Sequence, residues 1–251
     1  MAEQADRARR ESYLQAMQVD VWLARDRHAP GLPDSTADAG PAAPAARPSH
    51  GARSAHGGER EFASLEALGA AVADCHLCAL ADGRTQTVFG TGDPGARCMI
   101  IGEAPGAEED RRGEPFVGRA GQLLNAMLRA IGLTREGVYI ANIVKCRPPK
   151  NRDPKPEEMV ACAPYLRCQI ALVQPRVIVA VGRVAAQHLV GSTVPIGRMR
   201  GQSYVYENAE EGTRIPLVVT YHPAYLLRSP LEKRKAWQDL KRVRELLEAC
   251  E

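Results

Sequence analysis

Four of the seven cysteines in this 251-residue chain have a spacing that could do chemistry. Cys75 and Cys78 form a close pair with two residues between them, and Cys146 and Cys162 form a second pair with fifteen between. Four thiolates can hold an iron–sulfur cluster or a zinc ion. The gap between the pairs is far longer than in a compact zinc ribbon, although this does not exclude zinc. The second pair straddles a basic segment that runs from Lys145 to Lys155 and includes Arg147, Lys150 and Arg152. An iron–sulfur centre beside such a loop suggests a protein that works on DNA. Cys98 lies in an apolar run, Cys168 in a helical pattern and Cys250 beside the last residue, and all three are read as non-ligands.

The elements that must position these residues alternate between two periodicities. Leu65, Leu68 and Val72 have helical spacing and lead into Cys75. Residues 98–101, 138–144, 177–181 and 217–220 are short apolar runs without polar alternation, the pattern of strands buried on both faces. Helical patterns fill the intervals at 123–131, 156–173, 183–190 and 232–249, and Pro156 suits the first turn of its helix. The expected fold is therefore α/β, a three-layer αβα sandwich around a central four-stranded, mainly parallel sheet. Residues 61–251 form this globular part. Residues 1–60 are a separate extension, with a ragged helical stripe over 8–25 and then an Ala/Pro/Gly-rich linker over 29–58 that has little to bury.

Composition excludes more than it assigns. Net charge is +3 and hydrophobic content 45%, so neither a strongly basic chain nor a membrane protein is indicated. No apolar run reaches spanning length and the N-terminus lacks the apolar core of a secretory signal, so the expected location is the cytoplasm. An odd number of cysteines in such a chain favours reduced thiols and metal binding over disulfides.

In parallel sheets the active site lies beyond the carboxyl ends of the strands, which singles out three loops. The first, after Ile101, carries Gly102-Glu-Ala-Pro-Gly106, Glu109 and Gly113-Glu-Pro-Phe-Val-Gly-Arg-Ala-Gly121, a length and glycine content beyond a plain connection. The second carries Asn142, whose amide can donate and accept at the edge of a base. The third is Tyr221-His-Pro-Ala-Tyr-Leu-Leu-Arg228, with an imidazole at the strand end and an apolar pair followed by arginine. Apolar wedges beside arginine are one way proteins enter a DNA stack.

Taken in order, these motifs resemble the family 4 uracil-DNA glycosylases, the iron–sulfur enzymes of bacteria and archaea. The resemblance spans residues 63–247 and leaves the extension uncovered. It implies a [4Fe–4S] cluster on Cys75, Cys78, Cys146 and Cys162. It also implies a DNA-repair hydrolase that flips uracil out of single- or double-stranded DNA and leaves an abasic site. Phe116 would stack on the base, Asn142 would read its N3–H and O4 edge, and His222 would donate to O2 as charge builds there. Gly102, Glu103 and Ala104 would line the pocket, with Glu109 shaping it near Phe116. Ala104 stands where the best-known glycosylases carry a water-activating aspartate, so the implied route is dissociative, with Glu103 a possible but not implied base. Lys145, Arg147, Lys150, Arg152 and Lys155 would meet phosphates, with Arg198 and Arg200 adding basic surface. Leu226, Leu227 and Arg228 would be the wedge, or else the first turn of a helix with buried leucines.

No lysine stands at a motif position to form a Schiff base, so strand cleavage is not expected. The enzyme is expected to be a monomer. Two other readings compete: a non-catalytic iron–sulfur DNA-binding module, and a related glycosylase that prefers another damaged base. The extension could tether a replication or repair partner.

Overall fold

The computed structural model describes residues 62–208 and 212–249. The helix expected over 8–25, the linker over 29–58 and Cys250 lie outside the described residues.

Six strands form one sheet: β1 (Thr91–Gly92), β2 (Cys98–Gly102), β3 (Tyr139–Asn142), β4 (Val177–Val181), β5 (Tyr204–Asn208) and β6 (Thr213–Thr220). Their order is β1-β3-β2-β4-β6-β5. The four expected runs are the parallel centre, β3-β2-β4-β6. The expectation of four strands is corrected by two antiparallel edges, β1 on β3 and β5 on β6. Neither edge has an apolar run: β1 is two residues long, and β5 alternates between exposed and inward side chains on the rim. A strand that buries one face or none leaves a weaker signature than a central one.

Eight α-helices are described: α1 (Leu65–Ala73), α2 (Ala107–Arg112), α3 (Arg119–Ala130), α4 (Pro156–Val173), α5 (Arg183–Val190), α6 (Ile196–Met199), α7 (Pro223–Arg228) and α8 (Lys233–Glu248). Side chains alternate across the sheet, as the pleat requires. Met99, Ile101, Ile178, Ala180, Leu217 and Val219 pack on one face with Leu68 and Val72 of α1 and with Tyr165 and Ile170 of α4. Ile100, Ile140, Val177, Val179 and Val218 pack on the other with Leu124 and Met127 of α3 and with Trp237 and Leu240 of α8. Each such side chain removed from water contributes roughly 1.5–3 kcal/mol before the entropy of ordering is counted. Two dry layers thus clamp the four parallel strands and hold their carboxyl ends in register.

The chain places β3 on one side of β2 and β4 on the other. This reversal opens a crevice at the carboxyl ends, where open α/β sheets bind their ligands.

Candidate active site

One central strand ends in glycine and another is followed by one, and that is what makes room. Gly102 ends β2 beside Asn142 of β3, with which it is registered. A Cβ on Gly102 would lie 2.4 Å from Asn142 Oδ1 and 2.8 Å from the Phe116 ring. The bare backbone therefore lets an amide and an aromatic face fold over the strand end. Asn142 is only 2% exposed, and its Oδ1 has no hydrogen-bond partner. A buried carbonyl left unpaired costs about 1–3 kcal/mol, so this oxygen is an acceptor held ready for a donor.

Phe116 adopts a φ of 54°, a left-handed conformation that costs a residue with a Cβ on the order of 1–2 kcal/mol. Its surroundings over-determine that conformation. Arg135 donates to the carbonyls of Pro115 and Phe116. Glu109 Oε1 accepts from the amides of Val117 and Gly118, while its Oε2 accepts from Gly106 N. Gly121 is also required, since a Cβ there would sit 1.7 Å from the Phe116 carbonyl oxygen. The result is a buried ring stacked on His222, with centroids 5.5 Å apart and planes at 28°.

His222 follows β6 and caps α7, accepting from Ala224 N at Nδ1 over 3.1 Å. A ring nitrogen that accepts carries no proton, so the neutral tautomer has its hydrogen on Nε2. Burial pushes the imidazole down to about 4, helped by Arg228 and opposed by Glu109. The ring is therefore a neutral donor at physiological pH. Gly182, at the end of β4 with φ +98°, passes within 3.1 Å of His222 Cβ when given a Cβ of its own, so it too keeps the crevice clear.

Glu103 follows Gly102 and is half-buried. Burial raises its carboxyl to about 7; Asp153 raises it further by charge and by a shared hydrogen bond, and Arg183 opposes the shift. Arg183 pairs with Asp153, so the Cys146–Cys162 loop is tied to the helix that follows β4. Ala104 packs against the sheet core.

The four paired cysteines line one small cavity below the loop, together with Arg84, Lys145 and apolar side chains from α1 and α4. Arg84 Nη1 donates to Cys146 Sγ at 3.2 Å and to the Cys75 carbonyl at 2.7 Å. The donor set is all sulfur. Among the described residues no three His, Cys, Asp or Glu side chains converge as ligands of a single ion. Cys98 packs on the opposite face of the sheet, and Cys168 is outside the cavity lining.

A model of the uracil DNA glycosylase superfamily matches residues 89–241, which include every crevice residue described above. The chain belongs to the uracil DNA glycosylase superfamily. It is similar to the type-4 uracil-DNA glycosylase of Sulfurisphaera tokodaii, 44% identical over 188 residues that cover 73% of this chain and 84% of that one. It is also similar to the type-4 enzyme of Archaeoglobus fulgidus, 43% identical over 73% of this chain and 93% of that one. A third type-4 enzyme, from Thermotoga maritima, is 45% identical over 66% of this chain and 84% of its own length.

Within this superfamily fold several residues expected at the DNA face do other work. Lys145 is 1% exposed, and its ammonium donates to the Asn142 carbonyl and to Gln169 Oε1. It is therefore corrected from a phosphate contact to a buried strut between β3 and α4. Gln169 continues the strut to the Phe89 carbonyl and the Tyr139 hydroxyl. Arg152 is largely committed to the buried carboxylate of Glu158, one nitrogen to each oxygen. Arg200 is also withdrawn, in a buried pair with Asp239. Arg147, half-buried, donates to Asn151, while Lys150, Lys155 and Arg198 remain exposed. Leu226 is 1% exposed in the core and Leu227 packs against it, so the apolar pair is the buried face of α7 rather than a wedge; Arg228 is exposed.

Sequence reasoning missed Arg135, Gly182, Asp153 and Arg183. A glycine directly after the Val177–Val181 run is the one signal that marked a fourth strand-end loop.

Proposed function

We propose that this chain is a monofunctional glycosylase that flips uracil out of DNA and hydrolyses its N-glycosidic bond. The observation that carries the reading is the buried, unpartnered Oδ1 of Asn142 facing the stacked Phe116–His222 pair across Gly102. Uracil N3–H is the donor that oxygen lacks. Cytosine presents an unprotonated N3 at the same place and would leave two acceptors facing each other, a strong basis for rejection. The names of the type-4 relatives agree with uracil as the base.

In this reading the base leaves the stack and lies on Phe116. His222 donates from Nε2 to O2 as the C1′–N1 bond breaks and its electron pair moves onto the ring. This is stabilisation of a developing anion by a preorganised donor. Water then adds its hydroxyl to C1′ of the oxocarbenium-like sugar, and its proton neutralises the uracil anion. Ala104 offers no base. The Lys145 ammonium is held by Asn142 and Gln169 away from any Schiff-base role, in keeping with an abasic product and no strand cleavage.

Cys75, Cys78, Cys146 and Cys162 would hold a [4Fe–4S] cluster. Four thiols line one cavity whose other walls are mostly apolar, an all-sulfur donor set of the kind that holds iron–sulfur clusters. When bound it would cross-link the α1 end to the loop and helix on either side of the basic segment.

Protein purified without oxygen should be brown, carry iron and sulfide in equal amounts, and produce alkali-labile sites at uracil but not at thymine or hypoxanthine. Tight DNA binding without cleavage of any base would overturn the enzymatic reading.

A further inference from the structure

The α7 leucines are not free to enter DNA, yet the turn that follows them presents one that is. Leu231 is 91% exposed, on the short 3-10 turn Pro230–Glu232 between α7 and α8. A fully solvated leucine on a mobile tip would mean little. This one is held on a rigid bracket. Arg200 forms its buried pair with Asp239 of α8, and Thr220 at the end of β6 donates to the same carboxylate. The Arg200 guanidinium stacks over Tyr221 at 4.5 Å, and Tyr221 packs on Tyr225 of α7 at 5.0 Å. Arg200 also donates to the Lys235 carbonyl, and Lys235 pairs with Glu232 in the turn itself. Every element flanking Leu231 is thus tied to the strand end that carries His222.

The charge around the crest fits a polyanion. Arg228 and Arg234 flank it, both exposed, and among the described residues neither pairs with a carboxylate. The six residues of α7 separate His222 from the crest by about 9 Å of helix. Leu231 thus lies one short helix beyond the strand end that carries His222.

We propose that Leu231 is the wedge that enters the DNA stack and occupies the space vacated by the flipped nucleotide, with Arg228 and Arg234 on the flanking phosphates. The assignment rests on the glycosylase reading above and replaces the wedge expected at Leu226 and Leu227. Wedge insertion offsets the cost of unstacking the neighbouring base pairs. That cost is largest for a paired base and least for a single strand.

The full chain with its cluster is assayed on uracil in a U·A duplex and in the matching single strand, as wild type, Leu231→Ala and Leu231→Phe. The ratio of duplex to single-strand kcat/KM should fall at least tenfold in Leu231→Ala and recover in Leu231→Phe. A 2-aminopurine placed beside the uracil should lose its unstacking signal in the alanine variant alone. A ratio within twofold of wild type, or an equal loss on both substrates, would overturn the wedge while leaving uracil excision intact. A wild-type chain inert on uracil in both the duplex and the single strand would instead remove the glycosylase reading and the wedge with it.

Discussion

His222 should titrate far below an ordinary histidine, and the structure says by how much and why. Its Nδ1 accepts from Ala224 N, so a proton there would set two donors against each other. Burial and Arg228 oppose the charged form, and the carboxylate of Glu109 only partly offsets them. With a value of about 4 in the folded protein, against 6.5 when free, the ring at pH 5.5 would be about 3% protonated rather than about 90%. The linked stability follows the same sign. Above pH 6.5 both states are neutral and the contribution is complete. Below it the unfolded chain takes up a proton that the native state refuses, and about 3 kcal/mol is lost by pH 4. Long-range 1H–15N spectra of histidine-labelled protein from pH 8 to 4.5, with His222→Gln to assign the resonance, read both tautomer and midpoint. The expected result is an Nε2–H ring unchanged down to pH 5. A midpoint near 6.5, or a proton on Nδ1, would refute the reasoning and remove the neutral donor from the mechanism.

Two further outcomes follow. Lys145→Met should leave the Asn142 carbonyl and Gln169 Oε1 without their donor, lowering unfolding stability by about 2–5 kcal/mol; the slope of DNA affinity against salt should not change, whereas loss of a phosphate contact would reduce that slope by about 0.9. Single-turnover cleavage should slow as pH rises through about 7, where Glu103 ionises, and Glu103→Gln should abolish that decline; a rate that instead rises through the same pH and is lost in the glutamine variant would identify Glu103 as a general base.

The parallel centre of the sheet was legible because β2, β3, β4 and β6 are buried on both faces and their sequences are apolar without alternation. The edges were not, because Thr91–Gly92 and Tyr204–Asn208 gain their strand character from a neighbour rather than from their own composition. The crevice residues were legible in type and order. Asn142 and His222 stand at strand ends that periodicity locates, whereas Phe116, in the loop between α2 and α3, was singled out by the family resemblance. What stayed hidden was which charges face DNA. Lys145, Arg152 and Arg200 read as basic surface, yet each is held by a partner far away in sequence or on a following helix: Gln169, Glu158 and Asp239. Local charge density shows that a segment is basic; it does not reveal which ammonium or guanidinium the fold has already engaged. The α7 leucines misled for the same reason. Apolar residues beside arginine describe both a wedge and the buried face of a short helix, and only the burial of Leu226 in the core cluster decides between them.

In the glycosylase reaction proposed above, the charge pattern of the crevice would favour bond breaking before water attack. An anion forming on the base is stabilised by donors and destabilised by carboxylates close to it. His222 supplies a neutral N–H, and neutrality keeps that donor available across the physiological range. The carboxylates near it are each disarmed. Position 104 is alanine. Glu109 faces three backbone amides with its two oxygens, so its charge is directed into Gly106, Val117 and Gly118. Glu103 is buried beside Asp153 and holds its proton up to about 7. A site built to activate water early would place an ionised carboxylate against C1′, where it would also repel the leaving base. This site gives up that early activation and keeps the leaving base free of repulsion. The order of events that follows is departure of a well-stabilised anion first and capture of water second.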